Sequence, residues 1–216
     1  MSSVNVSFSR LLRVLVPFIA SAGSSQITPA QNFWKWFQGN EGALFDFEKD
    51  RDRTFDRLSA EMHKVDPSLT FEFGPKQNGH REFVISADGI RSAFPAVEAL
   101  FAAAPKLPRW TFIKFRPRRP PYDITYGGVS VHAAAVLARA ELHGATADIT
   151  LFMPGYSDSN SAYTAIAYLL LDQALGEYDV ETRVGEVLIK PAEQAPRNAS
   201  ALSALPPSFD RLFVSR

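Results

Sequence analysis

"LTFEFGPKQNGHREFVI", residues 69–85, alternates apolar and polar positions on either side of an Asn78-Gly79 pair. Leu69, Phe71 and Phe73 fall on one side of an extended chain and Thr70 and Glu72 on the other, while Phe83 and Ile85 share a face after the turn. Asn-Gly accepts the positive φ angles of a tight two-residue turn, so the stretch predicts a β-hairpin. Beyond it Ile90, Phe94, Val97, Leu100, Phe101 and Ala104 recur at helical spacing until Pro105 and Pro108 stop the helix. "RWTFIKFR" (109–116) then returns to strand. The order is strand, strand, helix, strand.

The same order recurs after "RPRRPPYDITYGGVS" (116–130), which reads as a loop. In "VLARAEL" (136–142) Ala138, Ala140 and Leu142 alternate with Arg139 and Glu141; His143-Gly144 turns the chain, and "ADITLFM" (147–153) comes back as a strand. Tyr163, Ile166, Ala167, Leu170 and Ala174 mark a helix, and "RVGEVLI" (183–189) is the last strand. These readings predict an α+β fold: a mostly antiparallel sheet built from two strand-strand-helix-strand units, about residues 69–116 and 135–190. Neither unit covers both faces of its sheet alone, so the two are expected to share one sheet or to pack their sheets together.

Upstream, Thr28-Pro29 reads as a helix cap, and Phe33, Trp34, Trp36 and Phe37 crowd into little more than one turn behind it. A second helix follows near Glu48, with Phe55, Leu58, Met62 and Val65 on one stripe, until Asp66-Pro67 ends it. Both helices are expected to pack on the sheet. Phe209, Leu212 and Phe213 predict a short terminal helix anchored on the body. Residues 31–216 thus read as a single domain. Residues 1–30 read as a disordered extension or as an export signal, since Arg10 and Arg13 precede a short apolar run and Ala20-Ser21-Ala22 resembles a cleavage site.

Bulk composition excludes some functions. Lysine plus arginine and aspartate plus glutamate stand at 23 each, so no long-range field draws the chain to nucleic acid or an anionic membrane. The absence of cysteine excludes disulfides, a thiolate nucleophile and cysteine-based metal centres, and it suits the cytoplasm. No apolar run reaches the length of a membrane-spanning helix.

Three stretches, "FWKWFQGNEGALFDFEKD" (33–50), "DPSLTFEFGPKQNGHREFVISADG" (66–89) and "LLDQALGEYDVETRVGEV" (170–187), together resemble an uncharacterised bacterial family, the domain of unknown function numbered 695. With the segments between them they cover about residues 32–190. The resemblance implies a small soluble bacterial α+β module and carries over no catalytic or binding residue. It implies a start near the aromatic cluster, from which residues 1–30 depart.

Three groups of side chains could carry function. Asp172, Glu177, Asp179 and Glu181 form an acidic cluster; on an extended segment Glu177, Asp179 and Glu181 would point to one side, as paired acid and base or oxygen ligands would require. The spacing lacks the glycine and terminal glutamate of a calcium loop, and Gly176 reads as a helix terminus with an acidic exit behind it. Lys114, Arg116, Arg118 and Arg119 form a basic patch interleaved with aromatics, suited to phosphates and bases or to pairing with the acidic cluster, within the fold or across a homodimer. Strand alternation would place Lys114 and Arg116 on the face of Trp110 and Phe112. Any exposed part of Phe33, Trp34, Trp36 and Phe37 would offer a partner contact. Before "GYSDSNS" (155–161) gives way to its helix, Ser159 or Asn160 is expected to cap it.

No nucleophile elbow, phosphate loop, dinucleotide fingerprint or metal spacing of the four histidines is present, so no catalytic residue, metal or cofactor is expected. The leading expectation is a non-enzymatic, cytoplasmic protein-interaction or regulatory module that holds a protein partner or forms a homodimer. The alternatives are a metal-assisted hydrolase or transferase at the acidic cluster, and single-stranded nucleic-acid binding through residues 106–119.

Overall fold

The structure is a computed structural model that describes residues 27–214, so residues 1–26 of the extension or signal expected at 1–30 lie outside the described residues, and its last residues belong instead to the first helix, which Thr28 caps. Helix α1 (Pro29–Gly39) starts where its cap was expected: the Thr28 hydroxyl accepts from the Gln31 amide, and the Gln31 side chain accepts from the Thr28 amide. A short α2 (Glu41–Phe45) and a single 3-10 turn lead to α3 (Arg51–His63), which buries Leu58 and Met62 completely.

The first unit follows. Strands β1 (Thr70–Phe73) and β2 (Arg81–Ser86) pair antiparallel, with Phe73 opposite Phe83. Between them Gln77 and His80 exchange both backbone hydrogen bonds, at 3.0 and 2.9 Å, around Asn78 and Gly79 at φ of 50° and 76°. That is the predicted turn. Helix α4 (Phe94–Ala102) carries the chain to β3 (Trp110–Lys114), which pairs parallel with β2.

A small hairpin, β4 (Ile124–Tyr126) and β5 (Val129–Val131), stands where a loop was expected. Three-residue strands are too short to show a period, but Gly127-Gly128, both at positive φ, is their turn. The second unit then repeats the first. Strands β6 (Leu137–His143) and β7 (Thr146–Met153) are antiparallel; α5 (Ala162–Leu175) and α6 (Glu177–Arg183) cross over to β8 (Val184–Pro191), which is parallel to β7. Asn160 accepts from the Ala162 amide at the start of α5. A two-residue β9 (Ser200–Ala201) pairs with β6, and α7 (Leu205–Val214) buries Phe209, with Leu212 and Phe213 half-buried beside it.

The fold is α+β with mostly antiparallel pairing, as expected. The units do not share a sheet, however. One sheet runs β1-β2-β3 and the other β8-β7-β6-β9, and each has its own core. The reason lies in the cover: α1, α3 and α4 enclose the first sheet, and α5 and α7 the second, so each buries its apolar face without the other.

The first core is aromatic. Phe37 stacks edge-on to Trp110 at 5.0 Å, and Trp34 does the same to Phe112 at 4.6 Å, while its indole N–H donates to the Leu100 carbonyl at 2.7 Å. Each such ring contributes about 1.5–3 kcal/mol through burial, provided its polar atom is satisfied. The second core is built mainly of Ile149, Leu151, Ile166, Leu170, Leu171, Leu202 and Leu205. Ile90 lies outside α4 and is exposed, because a 3-10 turn intervenes before the helix begins. Among the described residues no helix is long and apolar enough to cross a membrane.

Candidate functional site

The two halves meet where residues 115–119 lie against residues 172–181. At the end of β3, Phe115 has φ of +60°, a strained conformation for a bulky residue. Its amide donates to the Ile85 carbonyl at 2.7 Å, and its ring packs on Phe94 and Tyr178. This kink overturns the alternation expected for the strand. Lys114 keeps to the α4 side and pairs with Glu98 at 3.1 Å, but Arg116 turns to Glu72, on the face opposite Phe71 and Phe73.

The acidic segment also departs from expectation. Gly176 does terminate α5, at φ 78° and ψ 149°, but the chain restarts as α6 instead of running out extended. Glu177 and Glu181 therefore stand one helical turn apart on one face, and Asp179 points away from them. Carboxylates in the first turn of a helix complement its positive end, which favours the restart.

Glu177 is completely buried. One carboxylate oxygen accepts from the amides of Ala87 at 2.9 Å and Gly89 at 3.2 Å; the other accepts from the amide of Arg116 at 3.0 Å. Its own amide donates to the Arg116 carbonyl at 3.0 Å. A single side chain of the second half thus holds two loops of the first.

Around it the basic and acidic groups interleave. The Arg116 guanidinium donates to Glu72 at 2.7 Å, to Asp88, and to Asp172 at 3.4 Å. Arg118 grips Asp210 through both terminal nitrogens at 2.8 Å, reaches Asp179, and donates Nε to the Leu175 carbonyl at 2.9 Å. Arg119 pairs with Glu82 at 2.7 Å, and its amide donates to the Gln173 carbonyl at 2.7 Å. Arg116, Arg118 and Arg119 of the basic patch and Asp172, Glu177 and Asp179 of the acidic cluster thus belong to one clasp within the fold, while Lys114 pairs elsewhere. Among the described residues no three histidine, aspartate or glutamate side chains are grouped to hold a metal ion.

The clasp perturbs its own acids. Burial pushes Asp172 up to about 6; Arg116 opposes this, but the negative charges of Glu177, Glu181 and Asp88 reinforce it. Burial, then Glu177, raises Glu181 as well, whereas the hydrogen bond from Arg118 holds Asp210 down. Burial works against the charge of Arg116, yet the hydrogen bond to Asp88 and the surrounding carboxylates raise its pKa overall.

A pH dependence follows. The folded chain binds a proton at Asp172 more tightly than the unfolded chain, so the associated stability is present below about pH 4 and is lost as pH rises through about 6. Asp172→Asn removes that loss. Relative to the wild type, the variant should gain about 2 kcal/mol in chemical denaturation between pH 4.5 and pH 7. Equal slopes in the two proteins would exclude the shift.

Asp172 lies in a cleft of about 170 Å³ along the seam, lined also by Glu72, Arg116, Pro117, Arg119, Tyr122, Leu169 and Gln173. Tyr122 is 63% exposed and Leu169 40%, and Tyr168 beside it on α5 is equally open. Sequence reasoning passed over these three. The signal was present, because Tyr168 and Leu169 fall off the stripe formed by Tyr163, Ile166, Ala167, Leu170 and Ala174. The aromatic cluster of α1 behaves differently: Phe33, Trp34 and Phe37 are core residues, so the contact surface sought there shrinks to half-buried Trp36, over which the Arg57 guanidinium lies.

Comparison of the chain with protein-family models, with curated proteins and with solved structures finds no match.

Proposed function

We propose that the chain is a non-enzymatic module that holds a protein partner at the seam cleft, in the cytoplasm, where a cysteine-free protein needs no disulfide. The observation that carries this reading is a contrast within the cleft's lining. Arg116, Arg119 and Asp172 are neutralised by one another and by Glu72 and Glu82, whereas Tyr122 and Leu169 leave apolar surface exposed beside them. Aromatic and aliphatic anchors around a satisfied polar centre are what a partner's side chain needs to dock.

The test is a photo-cross-linking residue placed at position 169 in the native host. A protein adduct should form there and be lost with Tyr122→Ser. No adduct at position 169, or one indifferent to Tyr122→Ser, would overturn the reading.

One observation favours a second reading. A carboxyl group that titrates near pH 6 in a cleft is suited to general acid–base work. There Asp172 alone, not the four-carboxylate set, would act, and Asp172→Asn would abolish turnover while leaving the cross-link intact.

A further inference from the structure

Among the described residues strand β8 stands at the edge of the second sheet, paired only with β7. It is eight residues long, whereas the other edge strands of the two larger sheets have four (β1), five (β3) and two (β9). Proteins blunt such edges with short strands, prolines, charges or bulges, because a long flat edge invites another strand. The devices on β8 sit at its ends. A register shift opposite Ala147–Ile149 disturbs its start, and Pro191 closes it. In the middle Val187, Leu188 and Ile189 are left in regular pairing with Ile149, Thr150 and Leu151.

The two faces of β8 differ. Val187 and Ile189 are half-buried against the second core. Glu186, Leu188 and Lys190 are exposed on the other face, Leu188 at 41%. Neither Glu186 nor Lys190 has a charged partner among the described residues, although the chain pairs most of its interior arginines.

We propose that β8 pairs with the β8 of a second copy of this chain, antiparallel, about a two-fold axis at Leu188. That register places Leu188 opposite Leu188 and Val187 opposite Ile189. It also places Glu186 opposite Lys190 twice, once on each side of the axis. Opposite charges facing each other across a strand pair stabilise it, and like charges destabilise it. The strand is thus complementary to itself in this register. The two four-stranded sheets become one continuous sheet. A contact of this size falls below the ~1,600 Å² of a standard interface, so the dimer is weak, with a dissociation constant on the order of micromolar.

Charge reversal tests both the surface and the register, with sedimentation equilibrium of the full chain as the readout. The wild type should show a monomer–dimer equilibrium. Glu186→Lys alone and Lys190→Glu alone should each weaken it about tenfold or more, since each homodimer then carries two like-charge pairs. Mixing the two single variants should restore dimer to the wild-type level, because every facing pair is again opposite in sign. Both substituted positions are exposed, and unchanged circular dichroism of each variant confirms its fold. A wild type that stays monomeric up to about 1 mM overturns the proposal. So does a dimer that tolerates Glu186→Lys, or single variants that fail to rescue each other. Residues of the seam cleft are absent from this strand, so the outcome is independent of the partner site proposed above.

Discussion

Glu177→Gln is expected to cost about 3 kcal/mol in chemical denaturation, and Glu177→Ala about 4–5 kcal/mol. Few buried carboxylates have so many dependants: three amides of the first half donate to Glu177, and Arg116 stands in its field. Glutamine keeps the shape but supplies an NH₂ group where an acceptor is needed, so at least one buried amide loses its partner. Hydrogen bonds to a charged group are worth about 1.5–3 kcal/mol each, and an orphaned donor adds its desolvation cost. Alanine strands all three donors. A loss below about 1 kcal/mol for Glu177→Ala would show that the two halves are held by something other than this side chain.

The second large effect is at Gly176. Its φ of 78° with ψ of 149° lies in a region that is essentially reserved for glycine. A Cβ there would stand 3.1 Å from the Arg116 carbonyl oxygen and 3.2 Å from the Arg118 amide, both backbone atoms that cannot swing aside. Gly176→Ala should therefore cost about 3 kcal/mol or more, from backbone strain and displacement of residues 116–118 together. Gly144→Ala makes a useful contrast. It has positive φ too, but its Cβ would meet nothing within 4 Å, so only the strain of about 1 kcal/mol applies. Comparable losses at the two sites would mean that the close approach at Gly176 is not rigid.

Much of the framework was legible because it follows short periods. Phe71, Phe73, Phe83 and Ile85 gave the first hairpin, Asn78-Gly79 its turn, and Leu58 with Met62 the buried stripe of α3. The repetition of strand, strand, helix, strand was legible for the same reason, down to the positions of α5 and β8. What no period could show was that each sheet had helices enough to close its own core. The seam was half legible. The acidic and basic runs stand out in the sequence, and mutual pairing is one of the uses that suit them. Their geometry was hidden because it depends on two backbone events, the left-handed Phe115 and the helix restart at Gly176, and each reverses where the next side chain points. Glu72 and Asp88, the remaining partners of Arg116, come from distant parts of the chain and carried no local mark.

The division into two cores has a spectroscopic consequence. All three tryptophans, Trp34, Trp36 and Trp110, belong to the first half, and all six tyrosines, from Tyr122 to Tyr178, to the second. Indole emission selectively excited therefore reports on one half alone, whereas far-ultraviolet dichroism sees the helices and strands of both. Any gap between the two melting curves is a direct reading of how firmly one half holds the other, obtained without a label on either.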